Sequence, residues 1–326
     1  MSEEKFIHAF GEGQGELIKL CYPKSLPMRL DRWLVSQRSE QSRTRIQKFI
    51  NAGFVRVNGI QAQAKTPLRE GDQIELWMPP PEPLPYLKPE KMQLNVLFED
   101  DQLIVINKQA GMAVHPAPGN KDGTLVNGLL YHCNDLPGIS GKLRPGIVHR
   151  LDKDTTGCIV IAKSQTALVK LQIQIQKRIA SRNYLAVVHG VPKSDAGTIV
   201  GAIGRHPKDR KKYAVVSHDQ GRHASTHWQL IERLNEYSLI SFKLDTGRTH
   251  QIRVHCAHIG HPIVGDPTYS RCRKLPINLS GQTLHAIKLG LDHPVTNLRM
   301  EFEAPLPDCF KKLLEILRKR KRTSID

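Results

Sequence analysis

The run Arg144-Pro145-Gly146-Ile147-Val148-His149-Arg150-Leu151-Asp152-Lys153-Asp154-Thr155-Thr156-Gly157 brings two carboxylates, a histidine and three cations into one polar loop. A short apolar segment leads into it and a glycine leads out. Loops held between rigid strands are where catalytic side chains tend to sit. Arginines beside a carboxylate favour its ionised form, and an ionised Asp152 can act as nucleophile or as general base. Asp152 and Asp154 are two residues apart, so an extended backbone points both side chains the same way. A pair of carboxylates also suits acid/base cleavage of a glycosidic bond, although spacing alone does not set the separation that this chemistry needs. A surface cluster of ion pairs fits the same residues equally well.

A second dense stretch is Thr246-Gly247-Arg248-Thr249-His250-Gln251-Ile252-Arg253-Val254-His255-Cys256, continuing to His258 and His261. So many histidines next to a cysteine raise a zinc site. The spacing argues against one. There is no His-Glu-x-x-His and no Cys-x-x-Cys, and the position one helical turn before His255 is Gln251, a poor ligand. His255 and His258 share a helical face without an evident third ligand, so no metal is expected. The other reading is an RNA-facing segment in which Arg248 and Arg253 grip phosphates or carboxylates with their planar forks. Tyr184 opens an apolar strand just after Arg182. A tyrosine there packs in a core or offers its ring to an extruded base.

Composition narrows the partners. The chain has 326 residues and a net charge of +17, with 39% hydrophobic and 24% charged residues. Such a length suits one large domain and a smaller one, with a core that needs no disulfide or metal staple. The charge favours a polyanion, nucleic acid above all. No apolar run reaches spanning length, and no basic amphipathic helix with an aromatic face is evident, so a membrane partner is not expected. The six cysteines are scattered, which fits free thiols in a reducing cytosol. The start Met-Ser-Glu-Glu carries no secretory pattern, so the expected location is cytoplasmic.

The elements that position these residues can be sketched from periodicity. Residues 1–27, with Gly11, Gly13 and Gly15 close together, lack the spacing of a dinucleotide fingerprint and read as a loosely docked lead-in. Residues 28–78 form a compact unit of two helices and short strands. Leu30, Trp33 and Leu34 share one helical face. Ile46, Phe49 and Ile50 share another, after a cap at Ser42. Asn58-Gly59 marks a hairpin. Arg29, Arg32, Arg38, Arg43, Arg45 and Lys48 decorate the helices, as a solvated face or as RNA contacts. Prolines 79, 80, 81, 83, 85 and 89 make residues 79–91 a stiff linker. From residue 92 to 326 strands and helices mix without regular alternation, an α+β pattern. Leu103–Ile106, Cys158–Ala162, Tyr184–His189 and Ser238–Leu244 are expected strands. Leu168, Leu171, Ile175 and Ile179 make a helical stripe, although Gln-Ile-Gln-Ile-Gln inside it alternates like a strand. Residues 308–321 form a last helix, with Phe310, Leu313, Leu314 and Leu317 on one face.

With these residues in view, HRLDKDTTG, RNYLAVVHG and TGRTHQIRVH, in that order, closely resemble the three catalytic motifs of the RluA-type pseudouridine synthases. The flanking NKQAGMAVHP and LHAIKLGLDHP are similar to the family too, and the five together span most of residues 94–305. Residues 28–78 resemble the small RNA-binding module of the S-four type. The resemblance implies a mixed, mainly antiparallel sheet in two halves with the active cleft between them, behind a small helical-plus-hairpin domain. It implies isomerisation of uridine to pseudouridine in structured RNA, large-subunit ribosomal RNA being the implied target, with no cofactor, metal or obligatory protein partner. On this basis Asp152 is the attacking carboxylate and Arg248 ion-pairs with it. Tyr184 stacks on the flipped base and assists deprotonation at carbon 5, and Ile252 packs beside the base. Arg150 fills the gap left in the RNA, and His149 and Arg253 join the RNA-contacting set. Gln109 and Arg182 depart slightly from the family pattern, which often has proline and lysine at these places.

Overall fold

The computed structural model describes residues 16–24, 26–37, 43–78, 87–117, 120–133, 136–137, 145–209, 212–270, 275 and 277–322; for Glu16, Arg43, Thr44, Arg45 and Arg322 it describes the backbone only. The chain divides into two compact units, Met1–Leu84 and Pro85–Asp326. The division falls within the proline-rich run 79–91 of the sequence.

The first unit runs β1 (Glu16–Cys21), β2 (Met28–Arg29), α1 (Leu30–Gln37), α2 (Arg43–Asn51), β3 (Val55–Val57), β4 (Ile60–Gln61), β5 (Pro67–Leu68) and β6 (Gln73–Met78). The expected helical faces are buried: Leu30, Trp33, Leu34, Ile46, Phe49 and Ile50 meet in one core with Val55, Ile74 and Leu76. Asn58 and Gly59 both take positive φ, 52° and 76°, and join β3 to β4 by a two-residue turn. Such a turn matches the twist of the flanking strands. The expected cap Ser42 lies outside the described residues. The lead-in reading of residues 1–27 needs correction from Glu16 to Tyr22, while residues 1–15 lie outside the described residues. β1 pairs with β6 from Glu16 to Cys21, and Ile18 and Tyr22 enter the core. Its ladder partner lies at the far end of the unit, so no local pattern around residue 16 announces it.

The second unit runs β7 (Val96–Glu99), β8 (Leu103–Lys108), α3 (Leu125–His132), β9 (Thr156–Ala162), α4 (Gln165–Gln176), β10 (Ser181–His189), β11 (Ala196–Arg205), β12 (Tyr213–Val216), β13 (Arg222–Leu234), β14 (Tyr237–Leu244), α5 (Gln251–His258), β15 (Leu284–Asp292), β16 (Arg299–Glu303) and α6 (Asp308–Arg322). Its sheet has the order β12-β11-β13-β14-β10-β15-β9-β8-β7, with β16 also on β15. Between named strands every pairing is antiparallel except that of β15 with β9, where only His285–Thr156 and Ala286–Gly157 are in register. This short parallel contact is the seam between two halves of the sheet. Gly157 makes the contact possible. Its φ is 104°, and a methyl group there would lie 2.2 Å from the Ala286 carbonyl oxygen.

The ambiguous run 172–176 is helical. Ser164 caps α4 by accepting the Ala167 N–H at 3.1 Å, and Ala167 and Leu171 are buried. Ile179, expected on the same stripe, lies beyond the helix end and is exposed, because Arg178 turns the chain with φ 62°. The main core packs α3 and α5 onto the sheet. It includes Leu151, Tyr184 and Ile252, so the side chains around the site are anchored by hydrophobic burial.

Candidate active site

The loop carrying Asp152 is fixed by Lys108, a residue only 1% exposed. It donates to the carbonyl oxygens of Gln109 (2.8 Å), Met112 (2.9 Å) and Lys153 (2.8 Å), tying the end of β8 to the loop that carries Asp152. Burial pulls its pKa down to about 7, against the charges of Asp154 and Asp152. The other end of the loop is held at the Gly157 seam.

Asp152 is held from α5. Arg253 Nη1 donates to Asp152 Oδ2 at 3.0 Å. The same guanidinium clasps Asp266 through Nε at 2.7 Å and Nη2 at 2.8 Å, and Nη2 also reaches the Thr268 hydroxyl at 3.1 Å. Asp266 in turn accepts the backbone N–H groups of Thr268 and Tyr269. Burial works against the Arg253 cation, but hydrogen bonding and charge from Asp266, then Asp152, outweigh it and push its pKa up. The expected partner Arg248 does not make this pair. Its Nε donates to the His223 carbonyl at 2.9 Å, because the turn before α5 aims it at β13 instead. In a helix that starts at Gln251, Arg253 is the arginine on the loop-facing side.

That turn is built around Gln251. Its side-chain oxygen accepts from the Arg248 N–H (2.9 Å) and the Thr246 hydroxyl (2.8 Å), while its amide donates to the Ser225 carbonyl and the Thr226 hydroxyl. His250 sits at the helix start with φ 57° and its side chain makes no capping bond, while Gln251 braces the turn that leads into the helix. His250 Nδ1 lies 2.9 Å from the Tyr269 hydroxyl, which accepts the Tyr213 N–H at 3.0 Å. His250 Nε2 lies 4.0 Å from Asp152 Oδ1. Burial lowers the His250 pKa and the Asp152 charge opposes it.

Asp152 opens onto a cleft of about 620 Å³ lined also by His149, Arg182, Tyr184, Arg248 and Ile252. Tyr184 and Ile252, 5% and 4% exposed, give it an apolar side. Burial raises the Tyr184 pKa, so the ring stays a neutral phenol. Arg150 and Arg222 are exposed where the cleft meets solvent. His149 Nε2 accepts the Val160 N–H at 3.1 Å, so its proton sits on Nδ1, which is buried and unpartnered among the described residues. Burial, and then the Arg182 charge, bring the His149 pKa down to about 3.

The RNA pseudouridylate synthase family model matches residues 102–258, and the S4 domain model matches residues 28–74. The chain is 49% identical to an RNA pseudouridine synthase of Synechocystis sp., over 91% of each chain. It is 44% identical to the ribosomal large subunit pseudouridine synthase D of Pseudomonas aeruginosa, covering 89% of this chain and 92% of that one. The chain belongs to the RNA pseudouridine synthase family. It is an RluA-type enzyme, an isomerase acting on RNA, with an S4 RNA-binding domain ahead of the catalytic fold. A solved human protein, RNA pseudouridylate synthase domain containing 4, has the same fold, with 27% identity and a TM-score of 0.52 over 69% of this chain and 93% of that one.

The remaining predicted residues of the synthase fall as follows. His255 is buried on α5, where its Nδ1 lies 2.9 Å from the Thr226 hydroxyl. Burial, then the charge of His258, lower its pKa to about 4, so it is a neutral strut between helix and sheet. In the S4 domain Arg32 and Lys48 are exposed. Arg29 is bound to the fully buried Asp31 at 3.0 Å, so it serves the fold of its own unit. The side chains of Arg43 and Arg45, and all of Arg38, lie outside the described residues. Among the described residues no helix is long and apolar enough to cross a membrane. Sequence reasoning missed Lys108, Asp266 and Tyr269. Lys108 stands in a motif that had been noticed as a whole. Asp266 and Tyr269 sit in a Gly-Asp-Pro turn with no periodic signal.

Proposed function

We propose that the synthase isomerises specific uridines of large-subunit ribosomal RNA, with Asp152 as the attacking carboxylate and the target base flipped into the cleft. The observation that carries this reading is the Asp152–Arg253 ion pair beside the apolar side formed by Tyr184 and Ile252. The aspartate is fixed in aim by a guanidinium that is itself locked to Asp266. The Asp152 side chain is 14% exposed, too recessed to meet a base still stacked in a helix, so the nucleotide comes out to reach it. Tyr184 offers a flat face for the extruded uracil, and Ile252 packs beside it. The apolar side of the cleft shields the freed base from water while it turns. Arg150 and Arg222 are placed for phosphates, whose attraction supplies sequence-independent affinity. Ribosomal RNA as the target is supported by the name that the Pseudomonas aeruginosa relative carries. The reaction as proposed uses side chains alone, so tritium release should be unaffected by EDTA.

The test uses a large-subunit ribosomal RNA transcript carrying tritium at carbon 5 of uridine. Wild-type protein should release tritium. Asp152→Asn should stop release while binding the same RNA nearly as tightly. Release by the variant at the wild-type rate would remove Asp152 from its role.

A further inference from the structure

Arg182 enters the cleft from β10 and is 6% exposed. Among the described residues its guanidinium has no carboxylate and no hydrogen-bond acceptor, and its Nε is buried without a partner. A buried cation without a counterion is costly, and proteins ordinarily pair such groups. The backbone makes room for it: a methyl group on Gly247 would lie 2.9 Å from Arg182 Nη1. Burial alternates along residues 181–185, with Arg182 and Tyr184 both buried, so the two share a face of the strand. Both line the cleft. Whatever stacks on Tyr184 therefore lies at the depth of Arg182, while phosphates remain at the mouth beside the exposed Arg150 and Arg222. His149 Nδ1–H is a second buried donor of the cleft without an acceptor.

We propose that Arg182 is a substrate-touching catalytic residue that donates to a carbonyl oxygen of the flipped uracil and holds the negative charge the base acquires during isomerisation. This rests on the reading of the cleft given above. When the bond between N1 and C1′ breaks, its electron pair stays with the base and spreads over N1, O2 and O4, while a carboxylate oxygen of Asp152 takes C1′. In the return step C5 forms the bond to C1′ and the carboxylate leaves with its own pair. The proton lost from C5 balances the one gained by N1. A fixed cation in a dry site stabilises the intermediate charge far more than water does. The unpaired guanidinium is then a cost carried by the free protein and relieved on the way to the transition state.

The experiment measures single-turnover tritium release from the same transcript at saturating protein, RNA affinity by filter binding over a range of salt, and thermal midpoint. Arg182→Met should slow release on the order of 10²- to 10³-fold. RNA affinity should stay within about twofold, and the midpoint should be unchanged or higher, since an uncompensated buried charge is gone. Arg182→Lys keeps a cation and should be at least about tenfold faster than Arg182→Met. Three results overturn the proposal. One is an unchanged rate at saturation with weaker binding and a shallower salt dependence, which marks a phosphate contact. Another is a lowered midpoint with loss of rate in proportion to the folded fraction, which marks a structural role. The third is equal rates for the two variants. Absence of release by the wild type would instead count against the function proposed above.

Discussion

Arg253 and Arg182 line the same cleft and are almost equally buried, 5% and 6% exposed, yet their surroundings differ in kind. Arg253 holds two carboxylates, Asp266 at 2.7 Å and Asp152 at 3.0 Å, and its charge is cancelled within the protein. Arg182 has no counterion among the described residues. The first arrangement fixes geometry, since each side chain in the chain from Asp266 to Asp152 limits the motion of the next. The second withholds a charge until a ligand arrives. One cleft thus contains a satisfied network around Asp152, the proposed nucleophile, and a guanidinium without a partner among the described residues, the proposed contact to substrate.

The comparison is tested most severely at Arg253. Arg253→Met should lose roughly 3–5 kcal/mol of stability, because it strands Asp266 as a buried charge. Denaturant unfolding measures this, and tritium release should be lost with it. A stability change near zero would mean that Asp266 finds another partner and that the network is not what holds Asp152. The pH dependence is next. His149 and His255 have folded pKa values of about 3 and about 4, both depressed by burial. Between those values and about 6.5 the unfolded chain binds protons that the folded one refuses. Stability is therefore complete above about pH 6.5 and falls with acidification, on the order of 1.4 kcal/mol per histidine for each pH unit below that. His255→Gln should flatten the fall; an unchanged slope would show that His255 stays accessible to protons. The smallest effect is expected at Arg248, whose side chain donates, among the described residues, to the His223 carbonyl. Arg248→Met should shift stability by less than about 0.5 kcal/mol and reduce the slope of log Kd against log salt by about one. An effect as large as that of Arg253→Met would restore Arg248 as the partner of Asp152.

The loop carrying Asp152, the arginines 248 and 253 and Tyr184 could be found in the sequence because each stands in a contiguous run of unusual side chains. The strands around them could be found because they are apolar and short. The hairpins β11–β13 carried no expectation. Their burial alternates, with residues such as Val200 and Ile231 exposed, so their apolar content resembles that of a loop. The choice between Arg248 and Arg253 was not legible, since both flank the start of α5 at plausible spacing. It depends on where that helix begins, and Gln251 sets this through contacts to Ser225 and Thr226.

The amino-acid sequence by itself determined the inventory: a basic chain, a boundary of prolines, an aspartate in a loop of cations, and arginines and a tyrosine in separate runs. Only the tertiary structure decided which cation meets which carboxylate. Lys108 reaches Lys153, Arg253 reaches Asp152 and Asp266, and β1 completes a sheet through β6, all by contacts between segments far apart in the chain. Ion pairing depends on distance and direction in space. Periodicity fixes these only within one helix or strand, and packing of the core fixes them between elements. That is why the arginine with two carboxylate partners and the arginine with none among the described residues look alike until the chain is folded.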